Sequence, residues 1–144
     1  MSDFRKLSDT VSASPQLTLE DIEQARAQGV RLIINNRPEG EADDQTPGPA
    51  IEAAARAAGM DYAAIPIGHG GMNESQVRAM CDALAAAEGK VLAYCRSGTR
   101  STMLWSLAQC ASGESPQDVA EAAAAAGYDV TPIRAAMEAL ASKR

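Results

Sequence analysis

Two short, β-branched apolar runs set the strongest limit on the fold of this chain. VRLIINN at 30–36 and KVLAYC at 90–95 have the length and composition of buried strands. Between them, AIEAAARAAG and ESQVRAMCDALAAAEG predict helices that each end at a glycine, and DYAAIPI predicts a further strand. Strands that alternate with helices favour an α/β fold with a mostly parallel central sheet flanked by helices.

The two ends of the chain extend this pattern. FRKLSDTVSASPQ predicts short strands, and LTLEDIEQARAQG predicts a helix that Thr18 caps. After 95, TRSTMLWSLAQCASG predicts a helix, and SPQDVAEAAAAAGYDV and TPIRAAMEALASKR predict two more, each opening with a hydroxyl cap and an early proline. With 144 residues and no visible linker, we expect residues 1–144 to form a single domain.

Charge and cysteine usage exclude several classes of partner. A net charge of −6 argues against general binding to nucleic acid or to anionic membrane surfaces, because both require a basic face. No apolar run approaches the length of a membrane span and no leader segment is visible, so we expect a cytoplasmic protein. The cysteines Cys81, Cys95 and Cys110 lack the pairing of a disulfide framework, and one histidine without a Cys-x-x-Cys motif predicts no metal and no cofactor.

The stretch CRSGTR at 95–100 combines the features of an anion-binding loop. Small residues let backbone N–H groups turn inward, and a helix that begins near Thr99 or Arg100 directs its positive end at the same point. This field favours a thiolate at Cys95, which predicts a nucleophile. The alternative is that Cys95 is a small buried hydrophobe, as we expect for Cys81 and Cys110, whose neighbours are apolar at helical spacing.

The loop and its surroundings resemble known families. YCRSGTRS resembles the active loop of rhodanese sulfurtransferases and a shortened form of the Cys-x5-Arg-Ser/Thr loop of cysteine-dependent protein phosphatases. The order LIINNRPEGE, YAAIPI, helix and KVLAYC resembles the dual-specificity phosphatases. Over nearly the whole chain the sequence resembles the phosphatase-like domain of bacterial beta-lactamase hydrolase-like proteins, which are also labelled sulfur transferase or phosphatase. The resemblance implies the dual-specificity and tyrosine phosphatase type of fold.

The resemblance also implies roles for individual residues. Cys95 would attack phosphorus, Arg100 would bind two phosphate oxygens with its planar guanidinium, and Ser101 would donate a hydrogen bond to the Cys95 thiolate. The backbone amides of 96–100 would hold the equatorial oxygens. The anion-binding candidates in this loop are Arg96, Ser97, Gly98 and Thr99.

Two departures from the phosphatase pattern keep a second chemistry open. Only four residues separate Cys95 from Arg100, whereas the phosphatase loop has five, and a tighter loop suits a Cys95 persulfide formed from a sulfane sulfur donor. No aspartate lies between Tyr62 and Cys81 to act as general acid. His69 is the candidate acid in that loop, by its titration near neutral pH. Glu74 is a second candidate, although its place at a helix start favours a structural role.

Arg37 has two readings of equal weight. It follows a strand expected to lie beside the one that ends at Cys95, so it either reaches the anion pocket or pairs with Glu39 or Glu41.

Three functions therefore follow from the sequence. The first is a cysteine-dependent, phosphatase-like hydrolase of phosphomonoesters, whether small molecules or phosphoproteins. The second is a rhodanese-like sulfurtransferase that takes a sulfane sulfur donor. The third is a non-catalytic module that binds anions or phosphoproteins.

Overall fold

The computed structural model describes residues 2–68 and 70–143, and in that part of the chain it contains five strands and six α-helices. The strands are β1 (Arg5–Lys6), β2 (Val11–Ser14), β3 (Val30–Asn35), β4 (Asp61–Ala64) and β5 (Lys90–Tyr94). The helices are α1 (Leu19–Ala27), α2 (Gly48–Ala57), α3 (Glu74–Ala86), α4 (Thr99–Ala111), α5 (Pro116–Ala125) and α6 (Arg134–Ser142), and a 3₁₀ turn (Thr131–Ile133) precedes α6.

Local side-chain capping explains where three of the helices begin. Thr18 and Asn73 each form a capping box, in which the cap side chain accepts the N–H of the third helical residue and that residue's side chain bonds the cap N–H in return. Ser115 accepts the N–H of Asp118 and is followed by a proline in the first turn of α5. The caps predicted at Thr18 and Ser115 are therefore confirmed.

The strands form one sheet in the order β1-β2-β5-β3-β4. β1 is antiparallel to β2, and the other neighbours are parallel, so the predicted α/β fold with a mostly parallel sheet is confirmed. β5 lies in the middle, between β2 and β3. The chain thus leaves the sheet at Cys95 from a central strand, where loops from both neighbouring strands converge.

Both faces of the sheet are covered, as the apolar strand runs require. Ile33 and Leu92 belong to a buried cluster that includes residues of α1 and α2. The alternate residues Leu32 and Ile34 belong to the larger cluster formed with α3, α4, α5 and α6. This alternation follows from the two-residue period of a strand. It places α1 and α2 on one face of the sheet and α3, α4, α5 and α6 on the other.

Several predicted element boundaries are wrong, among them the end of the helix predicted at SPQDVAEAAAAAGYDV, which stops at Ala125 ahead of the left-handed Gly127. The strand predicted at DYAAIPI ends at Ala64, because Pro66 has no N–H to continue the ladder. Ile65 and Ile67 still donate their N–H groups to the carbonyls of Asn35 and Asn36 at 2.9 Å, so the chain stays alongside the end of β3.

The predicted hydroxyl cap of the last helix is also wrong. The Asp129 side chain accepts the N–H of Thr131 at 2.9 Å, and the chain first makes the 3₁₀ turn, with no side-chain cap on α6. The contact with Asp129 and the 3₁₀ turn at Thr131–Ile133 thus take the place of the predicted cap, and α6 begins only at Arg134.

Candidate active site

The loop that joins β5 to α4 carries the predicted nucleophile. α4 begins at Thr99, as expected, and Gly98 precedes it with a left-handed φ of +95°. A Cβ atom at Gly98 would lie 2.2 Å from the Tyr128 hydroxyl, so both the backbone conformation and the space require glycine here. The shape of the loop therefore depends on a residue that stands in contact with a distant part of the chain.

Cys95 is fully buried at the base of this loop. Its N–H donates to the Ser14 carbonyl of β2 at 3.3 Å, which fixes the residue to the sheet. Its Sγ atom accepts the N–H of Gly98 at 3.1 Å and lies at the N-terminal end of α4. A backbone donor and a helix N-terminus both stabilise negative charge on sulfur.

Arg100 is held in a fixed orientation by Glu41. Its Nη1 and Nη2 atoms donate to the two carboxylate oxygens of Glu41, each at 2.8 Å, and Nη1 also donates to the carbonyl of Ile67 at 2.7 Å. The Arg100 side chain is 19% exposed and that of Glu41 is 11% exposed, so the pair is largely buried. The pKa of Arg100 is raised, first by its hydrogen bonds to Glu41 and also, against the effect of burial, by the charge of the nearby Cys95.

The same contacts define which edge of the guanidinium remains for a ligand. Arg100 has five N–H donors, and three of them are used by Glu41 and Ile67. Within residues 2–68 and 70–143 the remaining two, the Nε hydrogen and one Nη2 hydrogen, have no oxygen acceptor and form one edge of the planar group, and Cys95 lies close enough to this side chain to contribute to its raised pKa. Two parallel donors on one edge match two oxygens of a tetrahedral anion.

Arg37 meets Arg100 through Glu41. The Arg37 side chain is 4% exposed, and its Nε atom donates to Glu41 at 2.9 Å, while Nη1 donates to the side chain of Gln16 at 3.0 Å. Of the two readings of Arg37, the pairing with Glu41 is therefore present, and through Glu41 it also joins Arg37 to Arg100. The two arginines hold the pKa of Glu41 at about 2, chiefly through the hydrogen bonds from Arg100, so the carboxylate is ionised at neutral pH.

The polar side chains of the loop itself lie at its rim. Arg96 and Ser97 are exposed, and the Arg96 carbonyl accepts the N–H of Gln16 at 3.2 Å. The Ser97 hydroxyl donates to the Thr99 hydroxyl at 2.9 Å and accepts the Thr99 N–H at 3.3 Å. The amide of Thr99 is thus occupied by Ser97, while the amides of Arg100 and Ser101 lie in the first turn of α4, where helices have no internal acceptor.

Ser101 is buried directly after Arg100. Its hydroxyl has no hydrogen-bond partner among residues 2–68 and 70–143, so the expected hydrogen bond to Cys95 is not formed in this structure. The assignment of Ser101 as a donor to the thiolate stays a prediction.

The two candidates for the general acid are His69 and Glu74. His69 lies outside the described residues, and its role stays a prediction. Glu74 is 82% exposed, is the first residue of α3 and pairs with Arg78 at 3.5 Å, which is the structural role that the sequence favoured. Elsewhere, Cys110 is buried and Cys81 half-buried against the core, as expected for cysteines without a catalytic role.

Sequence reasoning missed the roles of Glu41 and Tyr128 at this site. Glu41 was recognised only as a possible partner of Arg37, four residues away, and the sequence carries no signal for its contact with Arg100, which is 59 residues away. Tyr128 donates its hydroxyl to the Ser97 carbonyl at 3.2 Å across 31 residues. Tyr128 lies in GYDV, shortly after the end of α5, and this local sequence gives no functional signal.

Two features are absent from the part of the chain that the structure describes. No described helix is long and apolar enough to cross a membrane. Within residues 2–68 and 70–143, no group of three or more histidine, cysteine, aspartate or glutamate side chains could hold a metal ion.

Comparisons with known proteins place the chain in a family. Residues 3–113 match the family described as beta-lactamase hydrolase-like protein, phosphatase-like domain. A beta-lactamase hydrolase-like protein from Xylella fastidiosa is 35% identical over 125 residues, which is 86% of this chain and 29% of that protein. The chain therefore belongs to this phosphatase-like family and spans less than a third of the length of that relative.

Solved structures agree with the fold. A protein from Neisseria meningitidis Z2491, provisionally described as a phosphatase, superposes with a TM-score of 0.85 at 30% identity, covering 97% of this chain and 99% of that one. Pseudomonas aeruginosa TpbA in complex with phosphotyrosine superposes with a TM-score of 0.63 at 18% identity, covering 94% of this chain and 90% of that one. The second similarity shows the fold alone.

Proposed function

We propose that this member of the beta-lactamase hydrolase-like phosphatase family hydrolyses phosphomonoesters through a phosphocysteine at Cys95. The observation that carries the proposal is the fixed guanidinium of Arg100, which Glu41 holds by two hydrogen bonds while one two-donor edge remains for a ligand beside Cys95. Preorganised donors of this kind stabilise a transferring phosphoryl group without reorganisation during the reaction.

In the first step the Cys95 thiolate attacks phosphorus, the S–P bond forms and the bond to the leaving oxygen breaks. Arg100 and the amides at the start of α4 hold the phosphoryl oxygens as charge develops on them. In the second step water attacks phosphorus, the S–P bond breaks and the thiolate is restored. The Gly98 N–H, which already donates to Sγ, stabilises the sulfur as it leaves.

The carboxylates near the loop bear on the choice of substrate. Glu41 is ionised at neutral pH, because its pKa is about 2, and it is bound to two arginines, so it has no proton to give. Glu74 is exposed and paired with Arg78. His69 therefore remains the proposed general acid, and aryl phosphates are the substrates that depend on it least, since a phenolate leaves with less help from an acid than an alkoxide does.

One observation favours a second function, that of a sulfurtransferase. The six-residue loop 95–100 is one residue shorter than the phosphatase loop that it resembles, and Cys95 is fully buried at its base. In that reaction the thiolate attacks the outer sulfur of thiosulfate, an S–S bond forms on Cys95 and sulfite leaves with the electron pair of the broken bond. A thiol acceptor then takes the outer sulfur and releases Cys95.

The mass of the intact protein distinguishes these functions. The protein is incubated separately with an aryl phosphate and with thiosulfate, quenched rapidly and compared with Cys95→Ser. A phosphoryl adduct, or phosphate release that Cys95→Ser lacks, is the result expected. One added sulfur from thiosulfate alone would replace the hydrolase with the sulfurtransferase.

A third outcome is also informative. Suppose that the protein binds inorganic phosphate but yields no phosphoryl adduct, no released phosphate and no added sulfur. This result would overturn both enzymatic proposals and favour a binding module. Turnover by Cys95→Ser equal to that of the original chain would remove Cys95 as the nucleophile.

A further inference from the structure

Tyr128 lies against the back of the active loop. It follows α5, is buried, and donates its hydroxyl to the Ser97 carbonyl at 3.2 Å. That carbonyl belongs to the same peptide unit as the Gly98 N–H, which donates to Cys95 Sγ at 3.1 Å. One peptide plane therefore connects the tyrosine on one side with the sulfur on the other.

The geometry of the peptide unit makes this connection directional. None of the described peptide bonds is cis, and in a trans peptide the C=O and N–H groups point in opposite directions. A donor that holds the Ser97 carbonyl on one side consequently holds the Gly98 N–H on the opposite side, toward Cys95. Withdrawal of electron density from the carbonyl by the tyrosine also strengthens the N–H as a donor.

We propose that Tyr128 is a positioning residue that directs the Gly98 amide at Cys95 and thereby stabilises the thiolate. The inference rests on the proposed role of Cys95 as a nucleophile, but it applies equally to phosphoryl and to sulfur transfer. It assigns a function at the active loop to the segment that follows α5, beyond residues 3–113 that match the family.

Two further contacts support this assignment. A Cβ atom at Gly98 would come too close to the Tyr128 hydroxyl and ring, so the loop and the ring pack closely against each other here. On its other side the ring packs beneath Arg5, whose guanidinium lies 5.2 Å from the ring centroid. Arg5 also donates to the Ala126 carbonyl at 3.4 Å, which holds the segment that carries Tyr128.

The protonation state of the tyrosine fits the role of a donor. Burial raises the pKa of Tyr128 above its usual value, and the lowering effect of Arg5 is smaller. The phenol therefore keeps its proton at neutral pH and can donate it to the Ser97 carbonyl.

The test is a pH titration of the Cys95 thiolate by its ultraviolet absorbance. Tyr128→Phe keeps the ring and its contact with Arg5 and removes only the hydroxyl. Each protein is measured as a difference against the same protein with Cys95→Ser, which subtracts the tyrosines and the other two cysteines. Tyr62→Phe is the matched control, because its half-buried hydroxyl accepts a hydrogen bond from Asn35 and does not bond to the loop.

We expect Tyr128→Phe to move the midpoint of the thiolate titration to higher pH, with a roughly threefold to tenfold lower thiolate-to-thiol ratio at a given pH, as for the loss of one hydrogen bond. Tyr62→Phe leaves the midpoint in place. An unchanged midpoint in folded Tyr128→Phe would overturn the proposal.

Two features keep the test decisive. The titration needs no turnover, so a chain that hydrolyses no phosphate ester still tests the role of Tyr128. Should Tyr128→Phe fail to fold, Arg5→Met loosens the same segment from its other side, and we expect a smaller shift in the same direction. A midpoint that stays in place in Arg5→Met would then count against the proposal.

Discussion

At the scale of single residues, Glu41 sets the orientation of Arg100, the proposed anion clamp. A lone arginine beside the loop would rotate among many orientations, whereas the two hydrogen bonds from Arg100 to Glu41 fix the plane of the guanidinium. The negative charge of Glu41 opposes an anionic ligand, and its contacts with both Arg37 and Arg100 offset this charge locally. Orientation, more than net charge, is therefore what Glu41 contributes.

This balance predicts how Glu41→Gln behaves. The amide cannot accept from both Nη atoms of Arg100, so we expect kcat for an aryl phosphate to fall roughly tenfold to a hundredfold through misplacement of the clamp. The inhibition constant of inorganic phosphate changes less, because loss of the carboxylate charge offsets loss of orientation. Steady-state kinetics with phosphate as a competitive inhibitor measures both.

Asp43→Asn is the matched control for this prediction, because it removes one negative charge from an exposed position on the same loop. Its kcat should stay close to that of the original chain. A kcat of Glu41→Gln that equals that of Asp43→Asn would show that the contact with Arg100 does not orient the arginine for catalysis.

At the scale of elements, the start of α4 is where the strand, the loop and the helix become one site. β5 delivers Cys95 between two parallel neighbours, and Gly98 turns the chain so that α4 points its first amides back toward the sulfur. The local sequence favours this turn through small residues, but the exact fit comes from Tyr128, which closes the space beside Gly98. The loop therefore has no room for a side chain at Gly98 unless Tyr128 moves.

A pair of glycine substitutions separates backbone strain from this close packing. Gly98 and Gly29 both have φ near +90°, but a Cβ at Gly29 would meet nothing within 4 Å. We expect Gly29→Ala to lower the free energy of unfolding by about 1 kcal/mol, which is the cost of the left-handed conformation alone. Gly98→Ala should cost at least about 1 kcal/mol more, because the Tyr128 ring must move.

Urea unfolding curves of the two variants test this prediction, and thiolate titration of Gly98→Ala tests its consequence for Cys95. Equal losses in the free energy of unfolding for the two variants would show that the Tyr128 ring moves aside without lowering stability.

At the scale of the whole molecule, the carboxylate of Glu41 connects segments that are far apart in sequence. Through Arg100 it joins the segment after β3 to the start of α4, and Arg100 in turn bonds the Ile67 carbonyl beyond β4. This arrangement ties three loops at the same edge of the sheet, so its ionisation affects folding as well as the site. The pKa of the carboxyl falls from 4.5 to about 2 on folding.

The sign of the resulting pH dependence follows from that shift. Between about pH 4.5 and pH 2 the unfolded chain binds a proton at Glu41 that the folded chain does not, so stability falls as pH is lowered through this window. Above it the contribution is complete. We expect Glu41 to account for a loss of about 3 kcal/mol at most between about pH 5 and pH 2.

Urea unfolding at a series of pH values should therefore give a shallower acid slope for Glu41→Gln than for the original chain. Glu23→Gln is the control, because Glu23 also pairs with an arginine but is exposed, and an exposed pair contributes little. Identical slopes for Glu41→Gln and the original chain would contradict the role assigned to this carboxylate.

The amino-acid sequence predicts the helices, the strands, the caps at Thr18 and Ser115 and the position of Cys95 at the end of a strand, while the central place of that strand is seen only in the folded sheet. Those features depend on interactions within a few residues, such as the bond from Asp21 N–H to Thr18, or on the apolar period of a strand. The boundaries that it misplaced, at Pro66 and Thr131, depend on where a backbone N–H finds its acceptor. The local order of strand, loop and helix predicts Cys95 as a nucleophile, whereas the role of Arg100 as an anion clamp is what the family resemblance implies, and both stay predictions.

The orientation of Arg100 and of the loop depends on contacts between residues that are far apart in sequence. Glu41 reaches Arg100 across 59 residues, and Tyr128 reaches Ser97 across 31, and no local pattern distinguishes these two residues from other charged or aromatic side chains. Their partners are set by the way β3, β5 and the segment after α5 pack around one edge of the sheet. The residues that carry the proposed chemistry thus lie in the short stretch 95–100. The orientation of their side chains and the charges around them arise from contacts with Glu41 and Tyr128, which form only when the whole chain folds.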